Sequence, residues 1–219
     1  MKRGIVLLTF VIVCFAGRAQ GEYEPKYTWN VELGLPVATS NQPFCDIMQG
    51  LVTINTYQQY SFPFHLNVGL GLKYSYFTVN EFAISQPVFG GLHTGGAFAK
   101  VGWDKFYGQT FGVDFGVKVG YAQHFINTLV QPVDEPEFRN RLNWSNVFAE
   151  PVFSLILKAD ERNSYRLNLG YTFYGFPYEP VDIGLTSNGD YTPDVLDNST
   201  QFFFIGFGYS FYFGEKVSE

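Results

Sequence analysis

Large apolar side chains recur at every second position through eight stretches of this chain. In Thr200–Phe213 the odd positions are Phe203, Ile205, Phe207, Tyr209, Phe211 and Phe213, while above Phe204 the even ones are Gly206, Gly208, Ser210 and Tyr212. Successive side chains of a strand point to opposite faces, so one face is large and apolar and the other mostly small or polar. Ser164–Phe176 repeats the pattern, with Tyr165, Leu167, Leu169, Tyr171 and Phe173 against Arg166, Asn168, Gly170 and Thr172. So do Thr110–Phe125, Phe64–Thr78 and Thr28–Val37. Asn146–Leu157 and Gly95–Trp103 follow with more interruptions, and Leu51–Phe62 is the least regular. The expected architecture is all-β, an eight-stranded antiparallel up-and-down barrel.

Which face looks outward decides the class. Ring after ring of Phe and Tyr would overfill a small barrel, whose interior has room only for packed side chains. The Gly, Ala, Ser and Asn face suits a narrow polar interior, which leaves the aromatic face to lipid, as in transmembrane barrels. Tyr and Trp near strand ends (Trp29, Tyr60, Tyr76, Trp103, Tyr107, Trp144, Tyr165, Tyr212) read as an interfacial girdle. A soluble ligand-binding barrel is the competing reading. The connections favour the membrane. Those near Phe62-Pro63, Asp104–Gln109 and Ala159–Asn163 are short, and those at Ala38–Gly50, Asn80–Gly90, Asn127–Leu142 and Pro177–Ser199 are long. Transmembrane barrels alternate short periplasmic turns with longer extracellular loops.

Composition agrees. Aromatics make up 19% and charged residues only 16%, against about 25% charged in an average soluble domain. Met1-Lys2-Arg3, the apolar run Gly4 to Phe15 and the small residues Gly17 and Ala19 read as a signal peptide over 1–19, with the barrel domain in 20–219. The run is too short for a membrane helix, and no second apolar run is long enough. Removing Lys2, Arg3 and Arg18 takes the net charge from −6 to −9, which argues against nucleic acid as a partner. Cys45 alone would remain, so neither an internal disulfide nor a thiolate metal site can form. No cofactor or metal site is expected.

With these strands in hand the chain resembles, from Tyr27 to Phe213, the small eight-stranded outer-membrane proteins of the OmpA/OmpX type. Its last strand, GFGYSFYF ending at Phe213, is similar to the C-terminal signature that the barrel-assembly machinery reads, although six residues follow it. The resemblance implies a cell outer membrane location, lipid and lipopolysaccharide as surroundings, and the assembly machinery as a partner. It names no partner for the loops.

Candidate chemistry is sparse. His65 and His124 fall on the expected inner face and His93 on the outer. Lipid A deacylases, which this chain resembles in size, carry a His-x-Ser-Asn element; His124-Phe125-Ile126-Asn127 lacks the Ser. No Ser–His–acid set stands at local spacing, so a non-enzymatic protein is expected, with an envelope-lipid enzyme as an alternative. Cys45 reads as an isolated buried thiol rather than a reactive one. Glu179, Asp182, Asp190, Asp194 and Asp197 read as a solvated acidic loop rather than a calcium site.

The inner-face charges give the sharpest expectation. Glu32, Lys73, Lys118 and Glu150 stand near mid-height, with Lys100, Asp114 and Arg166 lower. Buried charges occur paired. Two acids and two bases at one level are therefore expected to close the lumen as ion pairs, similar to the salt-bridge gate of the outer-membrane protein A type. A structural or surface-interaction barrel follows; a narrow channel is the alternative, since eight strands leave room only for side chains.

Overall fold

The computed structural model describes residues 26–213 apart from 109 and 133–135. The expected signal peptide and the six residues after Phe213 lie outside the described residues. The strands are β1 (Tyr27–Ser40), β2 (Met48–Ser61), β3 (Leu66–Val79), β4 (Val88–Tyr107), β5 (Phe111–Val130), β6 (Phe138–Lys158), β7 (Asn163–Pro177) and β8 (Ser199–Phe213). Each pairs antiparallel with the next, and β1 with β8, in one closed barrel. The turns at the ends of β2, β4 and β6 are short and the four connections at the other end are longer. Two expected loops are shorter than read from sequence. The fourth strand begins at Val88 rather than Gly95, and the β5–β6 hairpin stays paired up to Val130 and Phe138.

Side-chain burial alternates along the strands. Thr28, Asn30 and Glu32 are buried while Tyr27, Trp29 and Leu33 are exposed. Leu70 is 72% and Phe207 76% exposed to the surroundings. A closed ring of such side chains is far more apolar surface than a water-soluble domain carries. On β5 the apolar outer run extends from Phe111 to Tyr121. Ten residues of a tilted strand cover roughly 25 Å, the height of the lipid-facing band of such barrels. Tyr27, Tyr60, Phe62 and Phe64 pack edge to edge or stacked at the short-turn rim. Two expected girdle members point inward instead. Tyr212 donates to Ser164 Oγ at 2.6 Å, and Trp144 stacks on His124.

The interior departs from a uniformly polar one. Its middle level is polar, a small cluster of Phe106, Ile156 and Tyr212 is buried near the short-turn end, and its upper half holds Phe77, Phe98, Phe148, Tyr174, Phe176 and Phe202 in one buried cluster. Glycines make the space. Phe98 and Phe148 both face Gly120 across the ladder, and a Cβ on Gly120 would stand 2.7 Å from the Phe148 ring. A Cβ on Gly34 would stand 2.5 Å from the Phe204 ring. These glycines of the small-residue face are therefore the beds on which inward rings lie.

The barrel is asymmetric. β4, β5 and β6 have 20, 20 and 21 residues, the others 14 or 15. The long strands form a tongue above the long-loop rim. The β6–β7 seam pairs Val152–Lys158 with Ser164–Gly170, skips Glu150 and Pro151, pairs Phe148 and Ala149, and has no further pairing above. Proline lacks the N–H a ladder needs.

Candidate functional site: the filled lumen and its cap

Each mid-height charge is delivered by strand phase. Gln59, Gly69, Lys100, Lys118 and Glu150 follow one another across neighbouring strands on one row. Lys100 and Lys118 are direct cross-strand partners, an unfavourable placement for like charges. Their ammonium groups diverge to different acids. Lys118 Nζ lies 2.8 Å from Glu32 Oε2 and 3.2 Å from Glu150 Oε1. Lys73 Nζ pairs with Glu150 Oε2 and donates to Thr172 Oγ1 at 2.8 Å. Glu32 also accepts from Tyr57 OH at 2.8 Å and Asn55 Nδ2 at 3.0 Å. Glu32, Lys73, Lys118 and Glu150 thus form one chain of ion pairs across the lumen, and all four are buried.

Lys100, Asp114 and Arg166 form a second cluster. Asp114 Oδ2 accepts from Lys100 Nζ at 2.6 Å and from Arg166 Nη2. Lys100 also donates to Gln59 Oε1 at 2.7 Å, and Arg166 Nη1 to Asn30 Oδ1 at 3.2 Å. Sequence reasoning missed Asp104, which it placed in a turn. It stands on β4, where Asn67 Nδ2 donates to it at 2.9 Å and also to Asp114 at 3.3 Å. Phase could have found it, since Asp104 follows Lys100 by four positions on the same face. Tyr57 and Thr172 were passed over because neither carries charge. With Asp104, which Ser61 and Asn67 hold, the buried cations Lys73, Lys100, Lys118 and Arg166 are matched in number by the carboxylates Glu32, Glu150, Asp114 and Asp104.

The ammonium groups tie this level to the rings above. Lys73 Nζ lies 4.9 Å from the Phe202 ring centre and Lys118 Nζ 5.2 Å from that of Phe98. Such contacts strengthen when desolvated. Above them sits a cap. Helix α1 (Gln42–Ile47) lies in the first long loop and buries Phe44 and Ile47. Phe44 packs on Phe77 at 5.0 Å and on Tyr178 at 5.3 Å. Asn41, with positive φ, caps α1 through Phe44 N. Its amide donates to the carbonyls of Tyr178, Leu196 and Asn198, which ties the first long loop to the last.

The remaining candidates resolve simply. His65 is not on the inner wall; it has positive φ in the β2–β3 turn. His124 is buried between Thr94 and Asn146, at 2.9 and 2.7 Å. His93 faces outward, bonded to Tyr74 OH at 2.8 Å. Cys45 is exposed rather than buried, because the helix turns Phe44 and Ile47 inward. Partial burial and the adjacent Asp46 push its thiol pKa up, which disfavours the reactive thiolate. In the acidic loop, Glu179 and Asp182 form a capping box, and among the described residues no group of three His, Cys, Asp or Glu is placed to hold a metal.

The sequence matches no protein-family model and no curated protein. Solved structures share the fold. Neisserial surface protein A aligns with TM-score 0.53 and 10% identity, over 88% of this chain and 100% of that one. A major outer membrane protein from Thermus thermophilus aligns with TM-score 0.52 and 13% identity, over 85% and 99%. The chain therefore has the fold of the small eight-stranded outer-membrane β-barrels, as its alternation implies.

Proposed function

We propose that this protein is an outer-membrane barrel with a closed lumen, working through its long-loop surface in a structural or surface-interaction role. The observation that carries this is the continuous filling of the lumen, from the Asp104 level through the ion pairs and rings to Phe44. Charged side chains and rings that are buried at successive levels favour an interaction protein over a channel. The proposed leader over 1–19 delivers the chain, and 20–219 is the barrel. GFGYSFYF serves as the assembly signal. The protein should fractionate with outer membranes, run faster on unheated than on boiled SDS gels, and be electrically silent in planar bilayers. Stable open steps from the parent protein would overturn the closed-lumen reading.

The long loops then face the exterior. A tag at Gly189, a loop glycine with positive φ, should be labelled on intact cells. One at Arg162, in the β6–β7 turn, should be labelled only after lysis. The reverse pattern refutes the orientation.

A further inference from the structure

Above the apolar belt, the outer face of the tongue changes character. On β5, Tyr121 gives way to Gln123, Phe125 and Asn127; on β6, Val147 gives way to Ser145, Asn143, Arg141 and Arg139. Arg141 stands directly opposite Asn127, and Asn143 opposite Phe125. A cleft of about 530 Å³ opens there, lined by His93, Phe125, Asn127, Arg141, Leu142 and Asn143. The His93 wall is fixed in place, stacked on Tyr76 at 4.5 Å and bonded to Tyr74.

The electrostatics of this face differ from the rest of the chain. The protein carries 20 acids against 14 Lys and Arg, yet the outward positions of β4–β6 around the cleft carry none of those acids. Glu137, at the tip of β6, accepts from Gln131 at 3.3 Å. Among the described residues no carboxylate lies within ion-pair distance of Arg139 or Arg141. These two arginines stand in contrast to the lumen cations, each of which has an acid. An arginine fork matches phosphate oxygens, and amides and a histidine beside it add donors. Position selects the source of the phosphate. The cleft begins where the belt ends, at the height of lipid headgroups, and Gly95, Ala97 and Ala99 on β4 continue it downward between Leu72 and Tyr121.

We propose that this cleft binds the phosphate of a phosphorylated glycolipid of the surrounding leaflet through Arg141 in its wall, assisted by Arg139 two positions beyond on the same outward face of β6, with its acyl chains lying on the belt below. The site is confined to one side of the barrel and lies outside the lumen. It rests on the reading of the chain as an outer-membrane barrel, and the test separates the two. The full-length parent, R139Q/R141Q and Lys105→Gln are purified in detergent, and each is first checked for the gel shift of a folded barrel. Bisphosphorylated lipid A is then titrated and bound lipid counted by native mass spectrometry. The parent should hold lipid A. The double variant should lose it by roughly tenfold or more, as expected for losing charge-assisted contacts. Lys105→Gln, which removes a cation near the short-turn rim, should bind like the parent. Dephosphorylated lipid A should bind weakly, and millimolar inorganic phosphate should not displace the lipid. Equal retention by a folded double variant, equal binding of the dephosphorylated lipid, an equal loss in Lys105→Gln, or displacement by free phosphate would each overturn the site. Loss of the gel shift in the parent would instead overturn the barrel reading.

Discussion

Replacing Glu150 by Ala is expected to lower the stability of the barrel by roughly 3–5 kcal/mol, the cost of leaving buried charge without its partner. Glu150 accepts from Lys73, Lys118 and Thr172, the last at 2.5 Å, so one substitution strips three donors. Lys118 keeps Glu32, but Lys73 keeps only Thr172 among its short contacts. Urea unfolding of the protein in lipid vesicles, read by the gel shift, measures the effect. A second variant identifies the cause. Adding Lys73→Met to Glu150→Ala removes the stranded ammonium and should recover a large part of the loss, because replacing both partners is much cheaper than removing one. If Glu150→Ala unfolds with the parent midpoint, the quartet has no structural role.

Phe44→Ala should act on the cap and spare the wall. Deleting a buried Phe side chain costs about 3–5 kcal/mol, and here the ring is the single aromatic that α1 places against Phe77 and Tyr178. The cap is held otherwise by Asn41 and by Ile47, so it should open locally before the strands separate. Hydrogen exchange in Phe44–Ile47 and at Pro180–Ile183 should accelerate by at least a hundredfold, since each 1.4 kcal/mol is a factor of ten. Exchange in β8 should stay within a few-fold of the parent. Unchanged exchange in α1 would show that the ring does not hold the cap. Loss of protection throughout β8 would show that cap and barrel are one cooperative unit.

The barrel was legible because a lipid-facing wall leaves a two-residue period on every strand. Thr200–Phe213 and Ser164–Phe176 were read within a residue or so of β8 and β7. The tongue was not, because Gln123, Asn127, Arg139 and Arg141 lie beyond the unbroken apolar run that ends at Tyr121, where the outward face turns polar and the alternation loses its contrast. The lumen charges were legible by the same phase argument, which fixes the face of a residue and its approximate height. Two things were not. Inward rings such as Phe98, Phe148 and Phe202 carry no mark that distinguishes them from outward ones, apart from the glycines on neighbouring strands, and those become neighbours only once register is known. The cap depends on Asn41 reaching carbonyls more than a hundred residues away, a contact no local pattern announces.

The lumen ion pairs also bear on how such a chain reaches its final form. Lys118 meets Glu32 from 86 residues away, Lys73 meets Glu150 from 77, and Arg166 meets Asp114 from 52. None of these three pairs joins adjacent strands: β5 reaches β1, β3 reaches β6, and β7 reaches over β6 to β5. A half-zipped sheet, however well hydrogen-bonded, holds Glu32 and Lys118 on one open surface, four strands apart. Curling of the sheet brings β3 to β6 and β5 to β7, and closure of β1 on β8 fixes Glu32 opposite Lys118. Wall formation is thus rewarded strand by strand, with Lys100–Asp114 and Lys118–Glu150 already joining neighbouring strands, while the Glu32–Lys118 link is completed with the curved wall. That gives closure its own cooperative step, at which a mis-registered sheet, its charges one residue out of phase and turned toward lipid, is rejected.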